Sequence, residues 1–305
     1  MSDVSGRRRL GLSLAFLAMM MWAVLPIALV KMMEGLDPIT TSFFRFFLTA
    51  IVLTVMLSLR RRLPDPSRFL SMKRVFQFLG AGLLLASNYG LFILGLQKTT
   101  AEAAEVIIQL APMLFLLSGI WIFKEQFSRF QWAGLFVFII GLMFYFSHRS
   151  QQILVSHDEY GTGILMLITG AILWTGYAII QKLLLTEFSS EETLVVFCWI
   201  GAMLFLTQSE LSSLSSLDTS EWLLLTFCGI NTLVAYGSFS EALVHSEASR
   251  VGAIVCLAPI FTSLIVQSIT IDGVDIEPLQ VLTVLGAILV VGGSMAVALG
   301  NKKLT

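Results

Sequence analysis

Charge is what this sequence has least of. Only 13% of its 305 residues are Asp, Glu, Lys or Arg, about half the roughly 25% usual in soluble globular domains. Cysteine is scarce too: Cys198, Cys228 and Cys256 stand far apart, each inside an apolar run. That spacing excludes a disulfide framework and a cysteine metal site. The three histidines, His148, His157 and His245, are equally scattered, so no metal and no cofactor is expected. No His-Glu-x-x-His pattern, serine nucleophile elbow or paired-aspartate motif occurs within an apolar run, and the chain does not read as an enzyme. What is abundant is apolar surface. Hydrophobic residues make up 56% of the chain, 23 of them Phe, and mean hydropathy is +0.86. So few charges cannot cover that surface in water. The composition predicts a polytopic membrane protein, and disorder or a collagen-like repeat is excluded by the same figures.

Apolar runs bounded by charge or turn chemistry fall at 11–30, 38–59, 75–96, 101–123 and 130–147. They resume at 161–181, 193–208, 222–243, 248–271 and 278–300. Lengths near 20 residues suit membrane-spanning helices, and no alternating strand pattern appears. Helix starts are marked by Asp37 before Pro38, Thr99 with Glu102, and Ser189 with Glu192. The run after Arg7-Arg8-Arg9 is too long for a signal peptide and is expected to stay as a first span. The fold expected is all-α, with ten transmembrane helices.

Basic residues test that count, because they concentrate on the cytoplasmic side. With ten spans, one side holds Arg7, Arg8, Arg9, Arg60, Arg61, Arg62, Arg68, Lys73, Arg74, Lys124, Arg129, Lys182, Lys302 and Lys303. The other holds only Lys31, Lys98 and Arg149. Both termini are therefore expected in the cytoplasm. The parts would be a basic tail at 1–10, five helices at 11–147, an extracytoplasmic linker at 148–160, five helices at 161–300 and a tail at 301–305.

The two halves repeat. Tyr89-Gly90 recurs as Tyr236-Gly237, and Leu110-Ala111-Pro112 as Leu257-Ala258-Pro259, at one common offset. Trp22 recurs as Trp174, and Gly134 with Gly141 as Gly286 with Gly293, at a second. Five spans per half is an odd number, so the second copy enters the membrane inverted. Inverted repeats are the architecture of secondary transporters, with substrate held near the midplane.

Trp22, Pro26 and Lys31, Asp37-Pro38 ahead of Arg45-Phe46, and Leu110-Ala111-Pro112 followed by Glu125 and Gln131-Trp132-Ala133-Gly134 occur in a particular order. In that order they resemble the EamA family of the drug/metabolite transporter superfamily, over nearly the whole chain. Asp272 stands where the family usually has glutamate. The resemblance implies a ten-helix inverted-repeat carrier of small metabolites, often amino acids and frequently outward, in the plasma (cell inner) membrane. The expected partners are a small-molecule substrate and the lipid bilayer. Proton or ion coupling and the oligomeric state are left open, and no nucleic acid is involved. The alternative function is an accessory subunit of a membrane complex, for example one that flips lipids.

Polar groups at membrane depth carry the site hypotheses, because each costs about 2.5–3.5 kcal/mol on insertion scales. Glu102, Glu105, Gln109 and Pro112 recur at helical spacing and form one stripe on the fourth span. Glu102 is equally explained as the acidic partner of a cap at Thr99; Glu105, one turn deeper, is the coupling and cavity candidate. Arg45 contacts substrate, snorkels outward or pairs with Glu105, and the resemblance favours the ion pair. Asn88, Asn231 and Ser238 serve either the cavity or helix–helix hydrogen bonding. Trp22 and Trp174 sit mid-span, where they flank a cavity or pack a core. Pro112 and Pro259 are expected to kink their helices toward the cavity. Glu125, beside Lys124 in a short loop, is expected to stay solvated.

Overall fold

The computed structural model describes residues 7–69, 71–99, 104, 107–146, 159–268 and 281–300. Among them the regular structure is helical: α1 Arg8–Met32, α2 Pro38–Leu59, α3 Met72–Lys98, α4 Leu110–Trp121, α5 Arg129–Phe146, α6 Glu159–Leu184, α7 Ser190–Leu206, α8 Thr219–His245, α9 Ala248–Val255, α10 Ala258–Ser268 and α11 Val281–Leu299. In hydrocarbon every backbone polar group must be satisfied within the segment, and a helix does that. Among the described residues six stretches are long and apolar enough to cross a membrane: 8–32, 38–59, 72–98, 159–184, 219–245, and 248–265 across α9 and α10.

The helices begin where the chain supplies caps. The Asp37 carboxylate accepts from the backbone N–H of Ile39 at 3.0 Å and Thr40 at 2.9 Å, with Pro38 opening the helix. Ser189 and Glu192 form a reciprocal capping box at α7. Asp218 and Glu221 form a second at α8, which the sequence reading passed over. Several helices also run past the apolar stretch into charge, as at Arg8 and Met72, because a helix does not stop where the hydrocarbon does.

The apolar run at 248–271 is not one continuous helix among its described residues. It breaks at Cys256–Leu257, between α9 and α10. The physical reason is Pro259, which has no N–H to donate to the carbonyl of Val255 four residues earlier. The first half has the matching feature: Gln109 is a turn residue immediately before α4, three residues ahead of Pro112.

Packing is pairwise. α1 lies on α8, α3 on α6, α2 on α7, α4 on α9 and α5 on α11. The α5–α11 pair meets through the glycines that repeat in sequence. A Cβ on Gly134 would approach the Gly293 carbonyl oxygen at 3.1 Å, and one on Gly141 would approach that of Gly286 at 2.9 Å. Seven residues is about two helical turns, so each pair presents one face, and the missing side chains let the backbones touch.

Candidate functional site

Trp22 of α1, Trp174 of α6 and Tyr236 of α8 converge at the middle of the bundle. The Trp22 ring meets Trp174 edge-on at 5.8 Å between centroids and Tyr236 at 5.2 Å. Phe239 lies beneath both tryptophans, at 5.4 and 5.2 Å. Edge-to-face aromatic contacts of this kind are rigid as well as apolar. Trp22, Trp174 and Tyr236 form the floor of a cavity of about 100 Å³ whose walls include Pro26, Arg45, Asn88, Tyr89, Phe92, Ile108, Gln109 and Pro112. Several waters fit in such a space, since one needs roughly 10–15 Å³.

Polar groups enter these walls at Arg45, Asn88, Gln109 and Tyr89. Arg45, only 3% exposed, lies over the Tyr89 ring with its guanidinium carbon 4.4 Å from the centroid, within cation–π range. Its Nε donates to Thr232 Oγ1 at 3.1 Å, and the Thr232 hydroxyl in turn donates to the Cys228 carbonyl at 3.0 Å. Asn88 donates from Nδ2 to the Gly170 carbonyl at 3.0 Å, tying α3 to α6. Gln109 Oε1 and Tyr89 Oη are buried without a hydrogen-bond partner among the described residues.

Of the residues singled out from sequence, Trp22, Trp174, Arg45, Asn88, Gln109 and Pro112 line this cavity. Asn231 and Ser238 are buried away from its walls. The Asn231 amide is instead committed to a helix–helix bond, donating to the Met21 carbonyl at 2.8 Å. Pro259 is also absent from the walls, although Val255, whose carbonyl it leaves without an intrahelical donor, is present. Glu102 and Glu105 lie outside the described residues, as does Asp272. Tyr89, Tyr236 and Phe92 were not taken as site residues from sequence. For the two tyrosines the signal was there, in the Tyr-Gly pair that recurs in both halves.

The opposite end of the bundle, where α1 starts and α8 ends, is closed by charge. The expectation that Glu125 is solvated is corrected: its side chain is 7% exposed. Its carboxylate accepts from the backbone N–H of Ala248 at 2.7 Å and Ser249 at 3.0 Å, at the start of α9. Lys182, 2% exposed at its side chain, stands 3.8 Å from Glu125 and donates to the Ser246 carbonyl at 3.2 Å. Arg250 pairs with Glu247. The reason is geometric: the loop after α4 folds against the N-terminus of α9, whose exposed amides and positive dipole end attract a carboxylate.

Relatives match this chain in sequence along almost their full length. The chain is 30% identical to an uncharacterized transporter of Haemophilus influenzae over 97% of this chain and 96% of the relative. It is 29% identical to the uncharacterized inner membrane transporter YhbE of Escherichia coli K12, over 96% and 92%. A solved crystal structure superposes with a TM-score of 0.72 at 18% identity, covering 95% of this chain and 96% of that one, a likeness of fold. Residues 9–147 and 161–299 each match the EamA-like transporter family. Two matches, one to each half, with the aromatic cavity between them, identify this chain as a membrane transporter belonging to the EamA-like transporter family.

Proposed function

We propose that the chain is a secondary transporter that moves small metabolites, such as amino acids or related compounds, by alternating access through the aromatic cavity. In this reading ten spans form two inverted five-helix repeats, 11–147 and 161–300, joined by an extracytoplasmic linker, with both termini cytoplasmic. The observation that carries it is that both halves supply the cavity walls, through Trp22 and Asn88 from one and Trp174 and Tyr236 from the other. The helix pairing supports it. Exchanging the halves turns the α1–α8 pair into the α6–α3 pair and leaves α2–α7 in place. The interruptions beside Ile108 and Val255 support it too, since broken helices with freed carbonyls are tolerated at membrane depth where they line a cavity. With the charged end cytoplasmic, the cavity lies toward the outer side, and the conformation is one in which the inner path is shut. Export is the preferred direction, from the resemblance alone.

Glu105, from its position in the sequence stripe that includes Gln109, is the proposed coupling residue, by proton uptake and release or by attracting a cationic substrate group. The test uses purified protein in liposomes, loaded with an amino-acid mixture and assayed across a pH gradient. Solute movement by the protein alone supports the transporter, whereas dependence on a second protein would favour the accessory-subunit alternative. Glu105→Gln is expected to lower transport by about tenfold or to remove its pH dependence. Wild-type transport at every pH would remove Glu105 from the mechanism.

A further inference from the structure

Arg45 is held in the cavity wall in an unusual way. Among the described residues that line the cavity, it is the one that carries a full charge. A guanidinium keeps its proton and carries five N–H donors. One is used, Nε to Thr232, and Tyr89 covers one face of the group. Among the described residues nothing accepts from Nη1 or Nη2, and no carboxylate pairs with them. A buried, unpaired cation is costly unless something answers it. The two Nη groups form the fork that matches a carboxylate with two parallel hydrogen bonds. Tyr89 Oη, buried without a partner among the described residues, is a further donor beside the same group.

We infer that the site binds a small organic monoanion, a carboxylate attached to a flat apolar body, with Arg45 receiving the carboxylate and the Trp22, Trp174 and Tyr236 rings receiving the body. Three features fix that class. Nη1 and Nη2 of Arg45, free among the described residues, present one planar fork, which matches the two oxygens of a single carboxylate. The aromatic floor offers ring edges and faces to a planar apolar group. Tyr89 and Thr232 hold the guanidinium from one face and one edge, so its position is set before the ligand arrives and little entropy is lost on binding. The inference deepens the transport reading and rests on it for the site's purpose, but not for the binding chemistry.

The test is equilibrium binding, followed by quenching of tryptophan fluorescence excited at the red edge, since Trp22 and Trp174 form the floor. Phenylacetate, phenylacetamide and phenethylamine share one body and differ in charge. The acid is expected to quench saturably, with the neutral amide and the amine at least tenfold weaker. Arg45→Gln should weaken phenylacetate at least tenfold and abolish the preference over the amide. Arg45→Lys, which keeps the charge but loses the fork, should fall between. Arg60→Gln, at an exposed ion pair with Glu191, should bind like wild type, and thermal melting shows that each variant is folded. If Arg45→Gln does not fold, the ranking of the three ligands on the wild type still decides. Equal binding of acid and amide, tighter binding of the amine, or no saturable quenching by any of the three overturns the inference. Binding of the acid without solute movement in liposomes would instead count against the transport reading alone.

Discussion

Glu125 Oε1 lies 2.7 Å from the backbone nitrogen of Ala248, a residue 123 positions further along the chain. One side chain of the first half thus caps a helix of the second, and Lys182 stands 3.8 Å from the same carboxylate. Glu125→Gln removes the charge from a helix N-terminus and leaves Lys182 buried without its partner. Loss of one member of a buried pair costs about 3–5 kcal/mol, so a large drop in thermal stability in detergent is expected. The double variant Glu125→Gln/Lys182→Met should lose less than the two single losses combined. Strict additivity would show that the two groups are not coupled.

Two adjacent glycines are expected to behave oppositely. A Cβ on Gly293 would fall 2.5 Å from the Phe138 nitrogen and 2.7 Å from the Gly134 carbonyl oxygen, both backbone atoms that cannot step aside. Gly292 has nothing within 4 Å of a Cβ. Gly293→Ala should cost about 1–3 kcal/mol through overpacking of α5 against α11. Gly292→Ala should be neutral or slightly stabilising, because alanine is the better helix former. Melting curves of the two variants compare them directly, and equal losses would contradict the packing described.

Replacing the two prolines tests whether the helix interruptions serve transport. Alanine at 112 or 259 restores an N–H that can bond the carbonyl of Ile108 or Val255. Each variant should be at least as stable as wild type, yet transport more slowly by roughly fivefold or more, because the hinge is stiffened. Hydrogen exchange around Ile108 and Val255 should slow in parallel. Unchanged transport with slowed exchange would separate the breaks from function.

Orientation is open to a direct check. Basic residues concentrate at Arg7–Arg9, Arg60–Arg62 and Arg68–Arg74, so a reporter fused after Thr305 is expected to be active only in its cytoplasmic form. An extracytoplasmic reading there would mean an odd number of spans and would end the inverted-repeat reading.

Much of the local structure was legible in the residues themselves. Asp37 before Pro38 and Ser189 with Glu192 announced helix starts because a cap acts within three residues of its source. The glycines spaced by seven announced a shared face because helical geometry is periodic. Trp22 and Trp174 could be paired because each half repeats the other. Asn88, Gln109 and Arg45 stood out because a polar group in an apolar run has few explanations.

The sequence by itself determined the solvent this chain lives in, its helical class and which side chains were too costly to be idle, since composition and periodicity are properties of neighbours along the chain. Only the tertiary structure decided what those side chains meet. It stacked Arg45 on Tyr89 and bonded it to Thr232, 187 residues away. It committed the Asn231 amide to Met21 rather than to the cavity, and it carried Glu125 out of its loop to the first amides of α9. Such contacts depend on how the helices pair, and pairing is set by shape across the bundle, which no local pattern records.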